Sequence, residues 1–176
     1  GRKMKSFDVV VVGAGPGGYV AAIRASQLGK KVAIIEADKL GGVCLNRGCI
    51  PTKALLKSAH AVHELDDMKD LGINVDVKGL DGSVAVKRAN GIADKMSKGI
   101  AFLMKKNKIE VIEGFATFKT ATSLDVKTKA GVENVTGKSI IIATGAKYRS
   151  FPGLEHDGKR LLGAWEALKL EKLPKS

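Results

Sequence analysis

The chain has 176 residues, 44% of them hydrophobic and 27% charged, with 2 cysteines. This is a globular composition, long enough to bury a core without disulfide or metal staples, and it excludes disordered, collagen-like and coiled-coil chains. The net charge is +12, but the basic residues are dispersed and aromatics make only 5%, so no nucleic-acid partner is expected. No run of about 18 apolar residues exists, so no membrane-spanning helix is expected either. The opening GRKMK is followed by a short apolar stretch that runs into glycines; it reads as a strand, not a signal peptide. The expected compartment is the cytoplasm, or an organelle matrix after removal of a transit peptide.

Phe7–Val12 is an apolar, β-branched run and predicts a buried parallel strand. Gly13–Gly18 breaks it. Tyr19–Leu28 predicts a helix stopped by Gly29, and Lys31–Glu36 a second strand. Together these form a β-turn-α-β unit with a right-handed crossover. Residues 37–43 form a loop. Helix is expected from Cys44 to about Leu71, with Pro51 early in it, and again from about Ser83 to Lys106. The apolar face of the second helix is assigned to Val84, Ala85, Ile92, Met96, Ile100 and Leu103. Four short segments, Glu110–Ile112, Phe115–Phe118, Ser123–Lys127 and Glu133–Thr136, predict a meander turning at Gly114, Gly131 and Gly137. Ser139–Ala143 predicts a last buried strand that ends at Thr144-Gly145. A looser tail follows from Phe151, with a short helix near Ala164–Leu168.

The turn Gly13-Ala14-Gly15-Pro16-Gly17-Gly18 fits G-x-G-x-x-G, and a strand precedes it, a helix follows, and an acid ends the next strand. The first glycine permits the tight turn, the second lets backbone approach a pyrophosphate, and the third lets helix and strand pack closely. The start of the helix offers amides and a positive dipole end to an anion. Glu36 stands 18 residues past Gly18, where a carboxylate accepts from ribose hydroxyls and repels a 2′-phosphate. The unit does not choose between FAD and NAD, which share the ADP half.

The cysteines are Cys44 and Cys49, in GGVCLNRGCIP. C-x4-C is poor zinc spacing, and His60, His63 and His156 supply no obvious further ligands, so no metal is expected. On an ideal helix, residues five apart lie roughly 8.5 Å apart at Cα, whereas a disulfide needs about 4.4–6.8 Å. A bridge therefore requires a distorted turn, for which Gly48 and Pro51 are suited. Two readings stay open: a reducible bridge suited to redox cycling, or two reduced cysteines that never pair.

GAGPGGYVAAIRA, GGVCLNRGCIPTKALL and IIATGA together resemble the FAD-binding portion of the dihydrolipoamide dehydrogenases, a family of flavin disulfide reductases. The resemblance covers nearly the whole chain. Mercuric and glutathione reductases share C-x4-C and are the alternative, along with a non-catalytic nucleotide-binding module. The resemblance implies an α/β fold: a Rossmann-like FAD-binding domain with a parallel sheet and an inserted antiparallel β-meander. It implies that residues 1–150 form that domain and that residues 151–176 lead toward an absent NAD-binding domain. Gly13, Gly15, Gly18 and Glu36 would hold the ADP half of FAD. Gly41, Gly42, Val43 and Cys44 would run along the pyrophosphate and ribityl chain. Cys49 would be the flavin-side sulfur and Cys44 the interchange sulfur, with Lys53 near the flavin. Ala116 would meet the adenine, and Thr144, Gly145 and Ala146 would close over the cofactor. Arg47 receives no role.

The same resemblance implies that dihydrolipoyl-lysine of a 2-oxo-acid dehydrogenase complex is the substrate, that NAD⁺ is the final acceptor, and that the intact parent is a homodimer. With a single G-x-G-x-x-G, the chain is expected to lack the nicotinamide site and to show no full turnover alone.

Overall fold

A computed structural model describes residues 4–174. The first three residues of the basic opening, and Lys175 and Ser176 of the expected linker, lie outside the described residues. The chain divides into two units, one running up to Cys44 and resuming over Lys95–Ala146, the other comprising Leu45–Asp94 and the chain from Lys147 on.

The first unit is built on β1 (Met4–Val12), α1 (Pro16–Gln27) and β2 (Val32–Glu36). Val10, Val11, Ile34 and Ile35 are fully enclosed, which is why both strands read as continuous apolar runs: a parallel strand is covered on both faces. Four strands complete the sheet: β3 (Glu110–Glu113), β4 (Phe115–Thr120), β5 (Ser123–Thr128) and β6 (Gly131–Ile142). Their order is β3-β2-β1-β6-β5-β4. β1 is parallel to β2 and β6, and β2 to β3, while β5 runs antiparallel to β4 and β6. The unit is thus a Rossmann-like α/β domain with an antiparallel meander inserted between β3 and the last parallel strand. β3 and β4 are separated only by Gly114, yet they end the strand order on opposite sides. The meander therefore folds back over the sheet, and Leu124, Val126 and Val135 close on Phe7, Val10, Ala33, Ile35 and Ile112, with Ala116 packed against this cluster. α1 packs on β1 and β2.

Between the units the chain forms α2 (Gly42–Arg47) and enters α3 (Cys49–Asp67). The second unit contains α3, the first half of α4 (Gly82–Lys106) and the short α5 (Ala164–Ala167). Pro51, Ala54, Val86, Ala89 and Ala93 are buried. The Arg88 guanidinium donates to the Ala54 carbonyl at 3.1 Å, tying α4 to α3.

Six expectations need correction. The helix expected from Cys44 to Leu71 is two helices, broken at Gly48 (φ −146°, ψ −108°), and it ends at Asp67. α1 begins at Pro16 rather than Tyr19, because proline at the first helical position needs no amide partner and has its φ preset. β3 belongs to the parallel sheet and not to the meander. Gly137 makes no turn: Glu133–Thr136 and Ser139–Ile142 are one strand that leaves β5 and continues along β1. That strand's end is not buried, with Ile142 66% exposed. On α4 the buried stripe is Val86, Ala89, Ala93, Ile100 and Met104, while Val84 and Met96 face solvent. Alanines and Ser97 carry the helical period there, and a search for bulky residues passes over them.

Candidate functional site

The turn after β1 is shaped by backbone meeting backbone. Gly13 has φ +101° and its amide donates to the Ile35 carbonyl at 2.8 Å. A Cβ on Gly13 would strike the Ala143 carbonyl, and one on Gly18 would strike the Gly13 carbonyl. Both glycines are therefore demanded by the protein's own packing. Gly15 is different. It caps α1 with φ −75° and ψ −175°, which any residue adopts, and a Cβ there would meet nothing nearer than the Gly42 Cα at 3.7 Å. The fold does not require glycine at that position. What the missing methyl leaves open is space over the start of α1, where no side chain caps the helix and no acid occupies the first turn. Helix starts of this kind take anions.

Glu36 ends β2 with both carboxylate oxygens engaged. The Ala14 amide donates to Oε2 at 2.8 Å and the Asp38 amide to Oε1 at 2.9 Å. A carboxylate has about four acceptor positions, so two remain after these bonds fix its direction. The Glu36 carbonyl accepts from the Gly114 amide at 2.9 Å, which starts β4, and with it Ala116, beside Glu36.

The loop between β2 and α2 is tied to the turn twice. The Gly41 amide donates to the Ala14 carbonyl at 2.8 Å. Gly42 (φ +66°) presses on Gly15 so closely that a Cβ on Gly42 would lie 2.5 Å from the Gly15 Cα. From the other side, Ser97 Oγ on α4 donates to the Leu40 carbonyl at 2.8 Å. Gly42 opens α2, so Val43 and Cys44 follow directly from the loop glycine that packs on the turn. Val43 is exposed and Cys44 partly so.

Cys44 and Cys49 are disulfide-bonded. The break at Gly48 supplies the distortion that a straight helix lacks, and of the two readings of the cysteines the bridged one is observed. Cys49 is exposed and occupies the first position of α3. There a thiolate is stabilised by the helix start. Pro51 falls in the same first turn, where its missing amide costs no helical bond. Lys53 lies one turn further along α3, exposed. Thr144, Gly145 and Ala146 leave β6 as exposed coil. The Thr144 Cα lies 3.1 Å from where a Cβ on Gly13 would stand, so the segment begins against the turn.

The glycine turn, the acid fixed at the end of β2 and the disulfide helix are thus joined through Ala14, Gly15 and Gly42. Residues 7–176 match the family model described as pyridine nucleotide-disulphide oxidoreductase. The chain belongs to that family. A dihydrolipoyl dehydrogenase of Rhizobium etli is 46% identical over 189 aligned positions, covering 98% of this chain and 39% of the relative. One of Chlorobaculum tepidum is 47% identical, covering 97% of this chain and 36% of the relative. One of Mycobacterium tuberculosis is 51% identical over 85% of this chain and 32% of the relative. The chain thus spans little more than a third of the length of these curated relatives.

Within the first unit of this family member, the turn glycines, Glu36, Gly41, Gly42 and Thr144 meet at the end of β1, and Val43 and Cys44 follow Gly42 along the chain. Ala116 is placed through Gly114. Cys49 and Lys53 belong to the second unit and are tied to Cys44 by the disulfide and the intervening chain. Sequence reasoning missed the Gly15–Gly42 contact and the Ser97 anchor. Both depend on pairing across more than 25 residues, which no local pattern records. Among the described residues no helix is long and apolar enough to cross a membrane.

Proposed function

We propose that this chain is the FAD-binding, disulfide-bearing part of a dihydrolipoyl dehydrogenase, which oxidises dihydrolipoyl groups to lipoyl groups with NAD⁺ as final acceptor. The observation that carries the reading is the Gly15–Gly42 contact, which hangs the disulfide helix on the dinucleotide turn. The space at Gly15 and the fixed Glu36 carboxylate suit the pyrophosphate and ribose of the ADP half. Gly13, Gly15, Gly18, Glu36, Gly41, Gly42, Val43, Cys44, Lys53, Ala116, Thr144, Gly145 and Ala146 are the residues assigned to hold FAD. FAD, when bound, would supply a two-electron acceptor for the reduced cysteine pair.

The chain's own chemistry is thiol–disulfide exchange. A substrate thiolate attacks Cys44 Sγ and forms a mixed disulfide, and Cys49 leaves as a thiolate stabilised by the start of α3. The second substrate thiol then attacks its own sulfur of the mixed disulfide and releases Cys44, so the substrate leaves as a cyclic disulfide and the cysteine pair carries two electrons. Lys53, one turn from Cys49, adds positive charge on the same helix. The substrate would be dihydrolipoyl-lysine of a 2-oxo-acid dehydrogenase complex, and the parent a homodimer in the cytoplasm or an organelle matrix.

The test is a visible spectrum of the chain with added FAD during dithiol titration. A long-wavelength band on two-electron reduction, absent in Cys49→Ser, supports the reading. Failure to bind either FAD or ADP at up to about 1 mM, an affinity worth only about 4 kcal/mol, defeats it.

A further inference from the structure

We propose that Arg47 sets the redox equilibrium of the Cys44–Cys49 disulfide, and that Trp165 is the positioning residue that holds it in place. The proposal rests on the redox reading of the disulfide given above. Arg47 lies inside the disulfide ring, three residues after Cys44 on α2 and two before Cys49. Positions three apart on a helix are neighbours on one face. Its guanidinium carbon stands 4.9 Å from the centre of the Trp165 ring, a cation–π contact.

Trp165 is itself held. The Tyr148 ring meets it edge-on at 4.9 Å and meets His156 edge-on at 4.7 Å. The Tyr148 hydroxyl donates to the Glu166 carboxylate at 2.9 Å. A Cβ on Gly163, just before α5, would lie 2.5 Å from Tyr148 Cζ, so the backbone there makes room for the ring. A long, rotamer-rich side chain is thereby fixed on an aromatic platform at the redox loop, and ordering it costs entropy that the contact must offset.

The consequence follows from charge. The disulfide is neutral. Its reduction by a dithiol breaks the S–S bond, passes two electrons to the cysteine pair, and turns the reagent into its cyclic disulfide. Above the thiol pKa the product carries negative charge on sulfur, and a fixed cation nearby favours that product. Trp165 brings with it Tyr148, His156 and Glu166 of the tail, and Lys53 follows one turn beyond Cys49 on α3. The Glu166 charge is partly spent on the Tyr148 hydroxyl.

The test uses the 176-residue chain with dithiothreitol at fixed ratios of reduced to oxidised reagent, with thiols trapped by alkylation. In Arg47→Gln, half-reduction at about pH 8 should need about three to ten times more reduced reagent. Near pH 5.5, where a larger share of the thiols is protonated, the difference should shrink. Arg47→Lys should recover most of the shift, and Trp165→Leu should fall between wild type and Arg47→Gln. A merely structural role would shift both pH values alike. The proposal is overturned if Arg47→Gln matches wild type at both pH values, or differs equally at both. A wild-type disulfide that resists the dithiol throughout would instead overturn the redox reading, and this proposal with it.

Discussion

Gly15→Ala separates what the fold needs from what a ligand needs. The backbone at Gly15 is one that alanine adopts freely, and the added methyl would meet only the Gly42 Cα at 3.7 Å, an ordinary contact. Replacing glycine at such a site lowers the entropy of the unfolded chain and stabilises by about 0.4–1 kcal/mol. Urea denaturation followed by circular dichroism should therefore show a midpoint equal to wild type or slightly higher. The same methyl stands over the start of α1, where the pyrophosphate is assigned. It should weaken FAD or ADP binding about ten- to a hundredfold, or about 1.4–2.8 kcal/mol, read by equilibrium dialysis. Stability kept with affinity lost is the signature expected. Unchanged affinity would refute the assignment of that space to a phosphate, and a destabilisation above about 1 kcal/mol would refute the packing argument.

Gly42→Ala should behave oppositely: the left-handed backbone costs about 1–2 kcal/mol and the 2.5 Å clash with Gly15 about 1–3 more, so both denaturation midpoint and nucleotide affinity fall. Glu36→Gln turns one acceptor into a donor facing an amide, Ala14 or Asp38, and should cost about 1–3 kcal/mol in denaturant titration along with part of the affinity. Lys5 bridges Glu110 at 2.8 Å and Glu133 at 2.9 Å; Lys5→Met leaves the two acids unpaired and should cost about 1 kcal/mol at neutral pH. Hydrogen bonding first to Glu110 and then to Glu133 raises the Lys5 pKa. Its stabilisation is therefore complete below the unfolded lysine value of about 10.4 and disappears as pH climbs through the raised folded value, so wild type and Lys5→Met should converge in strong alkali. Asp8 is held below the ordinary carboxylate range, first by the Lys138 ammonium and then by the Lys31 amide. Its contribution is present above about pH 4 and fades as pH falls through the lowered value, so Asp8→Asn should flatten the acid side of the stability profile.

The first βαβ unit was legible because its signals are local. Apolar runs, glycines at fixed offsets and a terminal acid all fall within residues 7–36, and the sheet there follows the prediction. Errors cluster where a residue's role is set by distant partners. Gly137 looks like a turn, but its amide donates to the Thr122 carbonyl and a Cβ would lie 2.8 Å from Val10 Cγ2, so it is a close-approach point inside β6. β3 reads as a meander strand because it is short and lies next to β4, and only its register with Ala33–Glu36 places it elsewhere. Of the site, Glu36 was assigned from its distance to the turn, but the amides of Ala14 and Asp38 that aim it are invisible in a string of letters.

The glycines of the turn also show why a matched motif alone underdetermines function. Gly13 and Gly18 are required by contacts with Ala143 and with each other, so a fold of this shape would keep them with no ligand at all. Of the three glycines at the motif's fixed positions, Gly15 alone lacks an internal reason, and its near neighbour is the loop glycine that opens the disulfide helix. The open space at Gly15, beside the uncapped start of α1 and the fixed Glu36 carboxylate, is what a ligand rather than the fold would explain. If the pyrophosphate lies over Gly15 as proposed, movement of Gly42 away from Gly15 would open its cradle and carry Cys44 with it. On that reading nucleotide binding and the position of Cys44 are coupled through this contact, and a substitution that disturbs one without the other must act beyond it.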